Sequence, residues 1–142
     1  MGKKLLISLI VLLVLSMGIS SYFLLRGNEK IDVLMMTHDD LYNHALKQTE
    51  VQNQLGNQEI ENWEGSPASA TFTDNPYEWV SYPDIYTVIK DNKPSCLNVL
   101  KKGDLVRTII FHTSSKSVWV IYSLDANDIK CVLSYPKDKY KD

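Results

Sequence analysis

Hydrophobic positions fall into three regimes along the chain: a long apolar run, a helical spacing, and a strand-like alternation. The run is Leu5 to Leu25, interrupted mainly by small residues and flanked by Lys3-Lys4 and Arg26. At 1.5 Å per helical residue, about 21 residues span roughly 31 Å, close to the hydrocarbon thickness of a bilayer. Two readings compete for it. Leu5–Leu15, followed by Ser16, Gly18, Ser20 and Ser21, has the length and flank of a cleaved signal peptide. The return of apolar residues at Tyr22-Phe23-Leu24-Leu25, ending in Arg26, favours a permanent anchor with an aromatic residue at the interface. No Cys follows the apolar core, which excludes a lipoprotein. The short basic N-terminal flank places the N-terminus in the cytoplasm and the rest outside.

The organisation expected is therefore a membrane anchor or signal peptide at 1–26, a connector at 27–36, and one extracytoplasmic domain at 37–142. About 115 residues suffice for a single core. The connector ends in Ile31, Val33, Leu34, Met35 and Met36, which can extend the membrane helix, form a strand or enter the domain core. Thr37 with Asp40 predicts a capped helix to about Lys47, with Leu41, Ala45 and Leu46 inward. Thr49 with Gln52 repeats the signature, Val51 and Leu55 share a face, and Gly56 stops it. One bent helix or two short ones are thus expected over Thr37–Leu55.

Beyond Gln58 the period shortens. Glu64-Gly65-Ser66-Pro67 predicts a turn between two short strands, and Tyr77–Pro83 an aromatic loop or edge strand. Ile85–Lys90, Cys96–Leu100, Leu105–Phe111, Val118–Ser123 and Ile129–Tyr135 read as five β-rich runs joined by short turns. Short connections favour antiparallel neighbours, so the fold class expected is α+β, with helices on an antiparallel meander. In the last run Ile129, Cys131, Leu133 and Tyr135 share one parity, so Cys131 points with the apolar set.

Charge refines this picture. Gly27–Ile89 carries eleven acids against Lys30 and Lys47, a balance of −9; Lys90–Asp142 carries ten bases against six acids, a balance of +4. Packing of the two parts together would cancel much of the asymmetry, whereas separate faces would leave an acidic surface that repels nucleic acid. Nucleic acid is accordingly not an expected partner.

Candidate chemistry is sparse. Cys96 and Cys131 are the only cysteines, and outside the cytoplasm such a pair usually bonds. In a flat sequential meander they would lie three strands apart, about 14 Å, whereas a disulfide needs Cα atoms within about 7 Å. The bond therefore demands a curled sheet or a returning last run. His38-Asp39-Asp40 and His44 form the only dense polar cluster, too few ligands for a closed metal site, so no cofactor or metal is expected. His112 ends a strand alone, and no Gly-x-Ser-x-Gly elbow accompanies the serines. Tyr77, Trp79, Tyr82 and Tyr86 are candidates for a protein-binding surface, while Trp119 belongs in a strand core.

Tyr42, Ala45 and Leu46, followed by Val51-x-x-x-Leu55-Gly56 and Ile60 after one membrane helix, resemble the small membrane-anchored cytochrome c oxidase assembly factors over residues 5–63. The resemblance implies a spanning helix, a helical hairpin ending in Leu-Gly, a small antiparallel sheet and a non-catalytic assembly role. Asn57-Gln58 stands where that family usually has a proline, and the cysteine-bearing meander has no counterpart there. The same turn is also similar to small outer-membrane assembly lipoproteins. The function expected is a membrane-tethered extracytoplasmic binding or assembly protein, attached to lipid through residues 5–25 and acting on a protein partner. The alternatives are a small exported enzyme such as a hydrolase, or an immunity-type inhibitor of a secreted toxin.

Overall fold

A computed structural model of the chain describes residues 31–66, 69–73 and 85–140. Helices α1 (His38–Leu46) and α2 (Thr49–Leu55) come first, then short strands β1 (Asn62–Gly65) and β2 (Ala70–Thr71). Helix α3 (Ile85–Asn92) and a 3₁₀ turn (Pro94–Asn98) precede three longer strands: β3 (Leu105–His112), β4 (Lys116–Ser123) and β5 (Asp128–Pro136). Among the described residues the class is α+β, with three helices on an antiparallel sheet. Among these residues no helix is long and apolar enough to cross a membrane. The Leu5–Leu25 run and the aromatic residues Tyr77, Trp79 and Tyr82 lie outside the described residues.

Local chemistry sets the helix ends. The Thr37 hydroxyl accepts from the Asp40 amide at 3.1 Å, and the Asp40 carboxylate accepts from the Thr37 amide at 3.0 Å, closing a capping box. The Thr37 hydroxyl also donates to the Asp40 carboxylate at 2.7 Å, and this bond first, with that of the Thr37 amide, holds the Asp40 carboxyl below its ordinary pKa. The second helix differs from expectation: Gln48, not Thr49, occupies its N-cap and makes no side-chain cap. Gly56 ends it at φ +63°, a left-handed value that glycine adopts without strain.

β3, β4 and β5 form the meander, in the sheet order β1-β3-β4-β5. The two short strands do not pair with each other as a hairpin. Both lie along β3, with Trp63 opposite Phe111 and Ala70 opposite Val106.

The other departures lie before the meander, where two of the five expected β runs are helical. Ile85, Val88 and Ile89 are buried at helical spacing in α3, and Cys96 sits in the 3₁₀ turn. β-branched residues raise strand propensity, but a helix that buries one face accepts them.

The sheet consequently has a helical layer on each face. Leu41 and Ala45 of α1 and Val51 and Leu55 of α2 are buried on the side of Ile109, Phe111, Val118, Val120 and Tyr122. The Tyr42 ring packs at a tilt, 4.9 Å from Trp63 and 5.5 Å from Phe111 between centroids, fixing α1 over β1 and β3. On the other face Val88, Ile89, Cys96 and Leu100 pack with Val106, Trp119, Ile121, Cys131 and Leu133. This second layer is what lets the cysteines meet.

Cys96 and Cys131 form a disulfide, with Cα atoms 5.7 Å apart. No curling of the sheet is needed, because Cys96 lies above β5 and not in a strand beside it. One detail of the last strand is also corrected. The β4–β5 register shifts between Ile121 and Tyr122, so that Cys131 opposes Ile121 but Ile129 opposes Tyr122. Beyond this bulge Ile129 faces the α1 side, away from Cys131.

Further contacts bind the layers together. Lys93, after α3, reaches round β5 and donates to the Val132 carbonyl at 2.9 Å and to Glu50 of α2 at 2.6 Å. Lys137 pairs with Glu61. Both ion pairs join an acid of the acidic N-terminal part to a base of the basic C-terminal part, so part of the charge asymmetry compensates within the fold.

Residues 32–36 are packed into the same compact unit as the sheet. The chain turns there, with Val33 fully buried. Arg107 of β3, itself buried, donates from Nη1 to the carbonyls of Val33 at 2.8 Å and Met36 at 2.7 Å. Asn127, at φ 50° in the β4–β5 hairpin, accepts from the Val33 amide at 3.3 Å.

Candidate functional site

The β3–β4 hairpin brings together polar side chains that are far apart in sequence. His112 and Ser117 are cross-strand partners, and Glu64 lies opposite Ile110 on β1. Antiparallel pairing puts all three on one face of the sheet. His112 Nδ1 lies 2.8 Å from Ser117 Oγ and its Nε2 lies 3.1 Å from Glu64 Oε1. Tyr135, opposite Ser117 on β5, continues the row. Burial pushes the Tyr135 hydroxyl above its ordinary pKa, against the hydrogen bond with Ser117.

A serine, a histidine and a carboxylate in hydrogen-bonded order have the composition of an acyl-transfer triad. Exposure decides what this one can do. Ser117 is 1% exposed, whereas the Glu64 side chain is 64% exposed and that of His112 20%. An attacking hydroxyl must reach within about 3 Å of a substrate carbon, and the orienting carboxylate is ordinarily the enclosed member. Here the order is inverted: the hydroxyl is enclosed and the carboxylate meets solvent. The arrangement ties β1, β3 and β4 together and leaves Glu64 and His112 at the surface of the hairpin end.

Gln58 completes that end. Its Oε1 accepts from the hydroxyls of Thr113 and Ser115, the latter at 2.9 Å.

His44 is engaged elsewhere. Gln48 Nε2 approaches His44 Nε2 at 3.4 Å as a donor, which assigns the proton to Nδ1. Nδ1 then donates to the Tyr122 hydroxyl at 2.9 Å, and that hydroxyl donates to the Leu41 carbonyl at 3.3 Å. Burial lowers the His44 pKa, and burial raises that of Tyr122. The row holds α1 on β4 with a neutral imidazole. Its partners separate His44 from Asp40, which caps its own helix, while His38 Nε2 meets the Ser66 carbonyl at 3.1 Å. Among the described residues no three His, Cys, Asp or Glu are placed to hold a metal.

Comparison with family models, with curated proteins and with solved structures finds no match. Cys96 and Cys131 are bonded and buried, and neither is a thiol nucleophile. Tyr86 lies on α3, half-buried against the core on the disulfide side. Trp119 is 3% exposed in that core, as a strand residue should be, and Trp63 packs on Tyr42.

The sequence alone did not indicate the hairpin row. Glu64 is separated from His112 by 48 residues, and only the β1–β3 register brings them together. The single clue was that His112 and Ser117 flank a short turn, which predicts a cross-strand pair.

Proposed function

We propose that the chain is a membrane-tethered extracytoplasmic binding protein, whose exported α+β domain acts on a protein partner without catalysis. The observation that carries the reading is the Cys96–Cys131 disulfide. Structural disulfides persist in oxidising compartments and are rare where thiols are kept reduced. Combined with Leu5–Leu25, it supports export of everything after the apolar run, with the N-terminus cytoplasmic. The enclosed Ser117 hydroxyl cannot serve as an attacking nucleophile, so the Glu64–His112–Ser117 row offers no support for a hydrolase.

Three measurements test this. The full chain should remain in the membrane pellet through a carbonate wash and, once unfolded in denaturant, should resist alkylation unless reduced. A released product beginning near Ser21 would make the run a signal peptide, and ready alkylation without reductant would remove the export argument. Pull-down of the tagged chain from solubilised membranes should recover one stoichiometric protein. A clean monomer with activity on a substrate panel would overturn the binding role in favour of an exported enzyme.

A further inference from the structure

The end of the sheet opposite the His112 hairpin has a different surface. Leu34 is 62% exposed and Met35 76%, and Leu105, at the start of β3, is 40% exposed. Burying an apolar side chain of this size is worth about 1.5–3 kcal/mol, so leaving two adjacent ones in water is unfavourable unless something covers them.

These side chains are held outward. The amides of Met35 and Met36 donate to the Asp32 carbonyl at 3.0 and 3.1 Å, and the Leu34 amide donates to Asp32 Oδ1 at 3.2 Å. Val33, just before them, is fully buried, and Arg107 and Asn127 fix the main chain on either side of it. Leu34 and Met35 thus form the tip of a turn anchored on β3 and on the β4–β5 hairpin. Leu105 joins the same end, since its carbonyl accepts from the Leu124 amide at 2.9 Å beside that hairpin. By strand parity Leu105 lies on the Arg107 face, the side on which the turn sits.

The chain itself limits what can cover this tip. Leu34 follows Leu25, the last residue of the apolar run, by nine positions. At about 3.3–3.6 Å per extended residue, the tip can never be more than roughly 30 Å from the end of that run. We infer that Leu34 and Met35 dock this end of the domain into the interfacial layer of the bilayer that the run itself enters. The inference rests on the membrane-anchor reading of Leu5–Leu25.

The charges at this end are mixed, Lys101 and Lys102 against Asp32, Asp104, Asp125 and Asp128. The attachment is therefore apolar and does not depend on anionic lipid. The polar row of Glu64, His112, Gln58 and Ser115, at the far end of strands eight or nine residues long, is turned away from the membrane.

The test uses the full chain reconstituted in phosphatidylcholine vesicles, with a nitroxide attached at M35C, at L34C, or at S115C in the opposite hairpin. The first two positions are exposed, so the label should leave the fold intact, and the native cysteines are already bonded. Labels at 34 and 35 should relax several-fold more with oxygen than with a water-soluble nickel complex. The label at 115 should show the reverse, and neither pattern should change at high salt. Nickel accessibility at 34 and 35 equal to that at 115, in protein that still resists carbonate, would overturn the docking and leave the anchor standing. Release by carbonate would overturn the anchor, and the docking with it.

Discussion

Cys96 and Cys131 are bonded across two layers, one in a 3₁₀ turn and the other in the last strand of the sheet. The bond closes a loop of 35 residues. The chain-entropy model gives about 4 kcal/mol for that closure. Replacing both cysteines with alanine should lower the urea midpoint by an amount equivalent to about 2–4 kcal/mol, with the secondary structure retained. An unchanged midpoint would mean that the bond adds nothing the packing of α3 does not already supply.

Arg107 bears on the turn at 32–36 in a different way. Its Nη1 serves two main-chain carbonyls in a buried setting, and its Nε has no hydrogen-bond partner among the described residues. Arg107→Leu should cost about 2–4 kcal/mol, because the Val33 and Met36 carbonyls lose their donor. It should also speed amide exchange at Met35 and Met36, which the turn protects. Loss of stability without faster exchange there would place the effect elsewhere in the sheet.

Acid should loosen α1 before it affects the rest. Burial holds the His44 pKa in the fold below its unfolded value of 6.5. The unfolded chain therefore binds the proton more readily, and the fold loses stability as pH falls below that value; above it the contribution of the neutral ring is complete. The melting temperature should drop from neutral to mildly acid pH, and the drop should be shallower in His44→Gln. Equal slopes in the two proteins would assign the dependence to other groups.

How much of this was legible depended on which period dominated each segment. β3, β4 and β5 were readable because their apolar runs were bounded by clear turns. The Thr37 cap and the Gly56 stop were readable because each is a local device. Ile85, Thr87, Val88 and Ile89 misled because β-branched residues suggest a strand, while the spacing of Ile85, Val88 and Ile89 already matched one face of a helix. Cys96 and Leu100, four apart after Pro94, have the same helical spacing. The bulge that turns Ile129 away from Cys131 is set by pairing with β4, which no local pattern reveals. The Glu64–His112–Ser117 row was hidden for the same reason.

Lys93 has one more consequence. The Lys137 amide donates to the Ser115 carbonyl, and counting along the ladder from there puts Val132 at a position whose carbonyl points away from β4, off the side of the sheet. A strand from another molecule adding along β5 would need that acceptor, and Lys93 already occupies it while paired with Glu50. Addition would strand an ammonium group and a carboxylate against an incoming backbone, the kind of obstacle that keeps exposed strands from templating fibres. A single lysine thus stands in the way of edge-to-edge pairing along β5, and Lys93→Met is the substitution that would remove the obstacle.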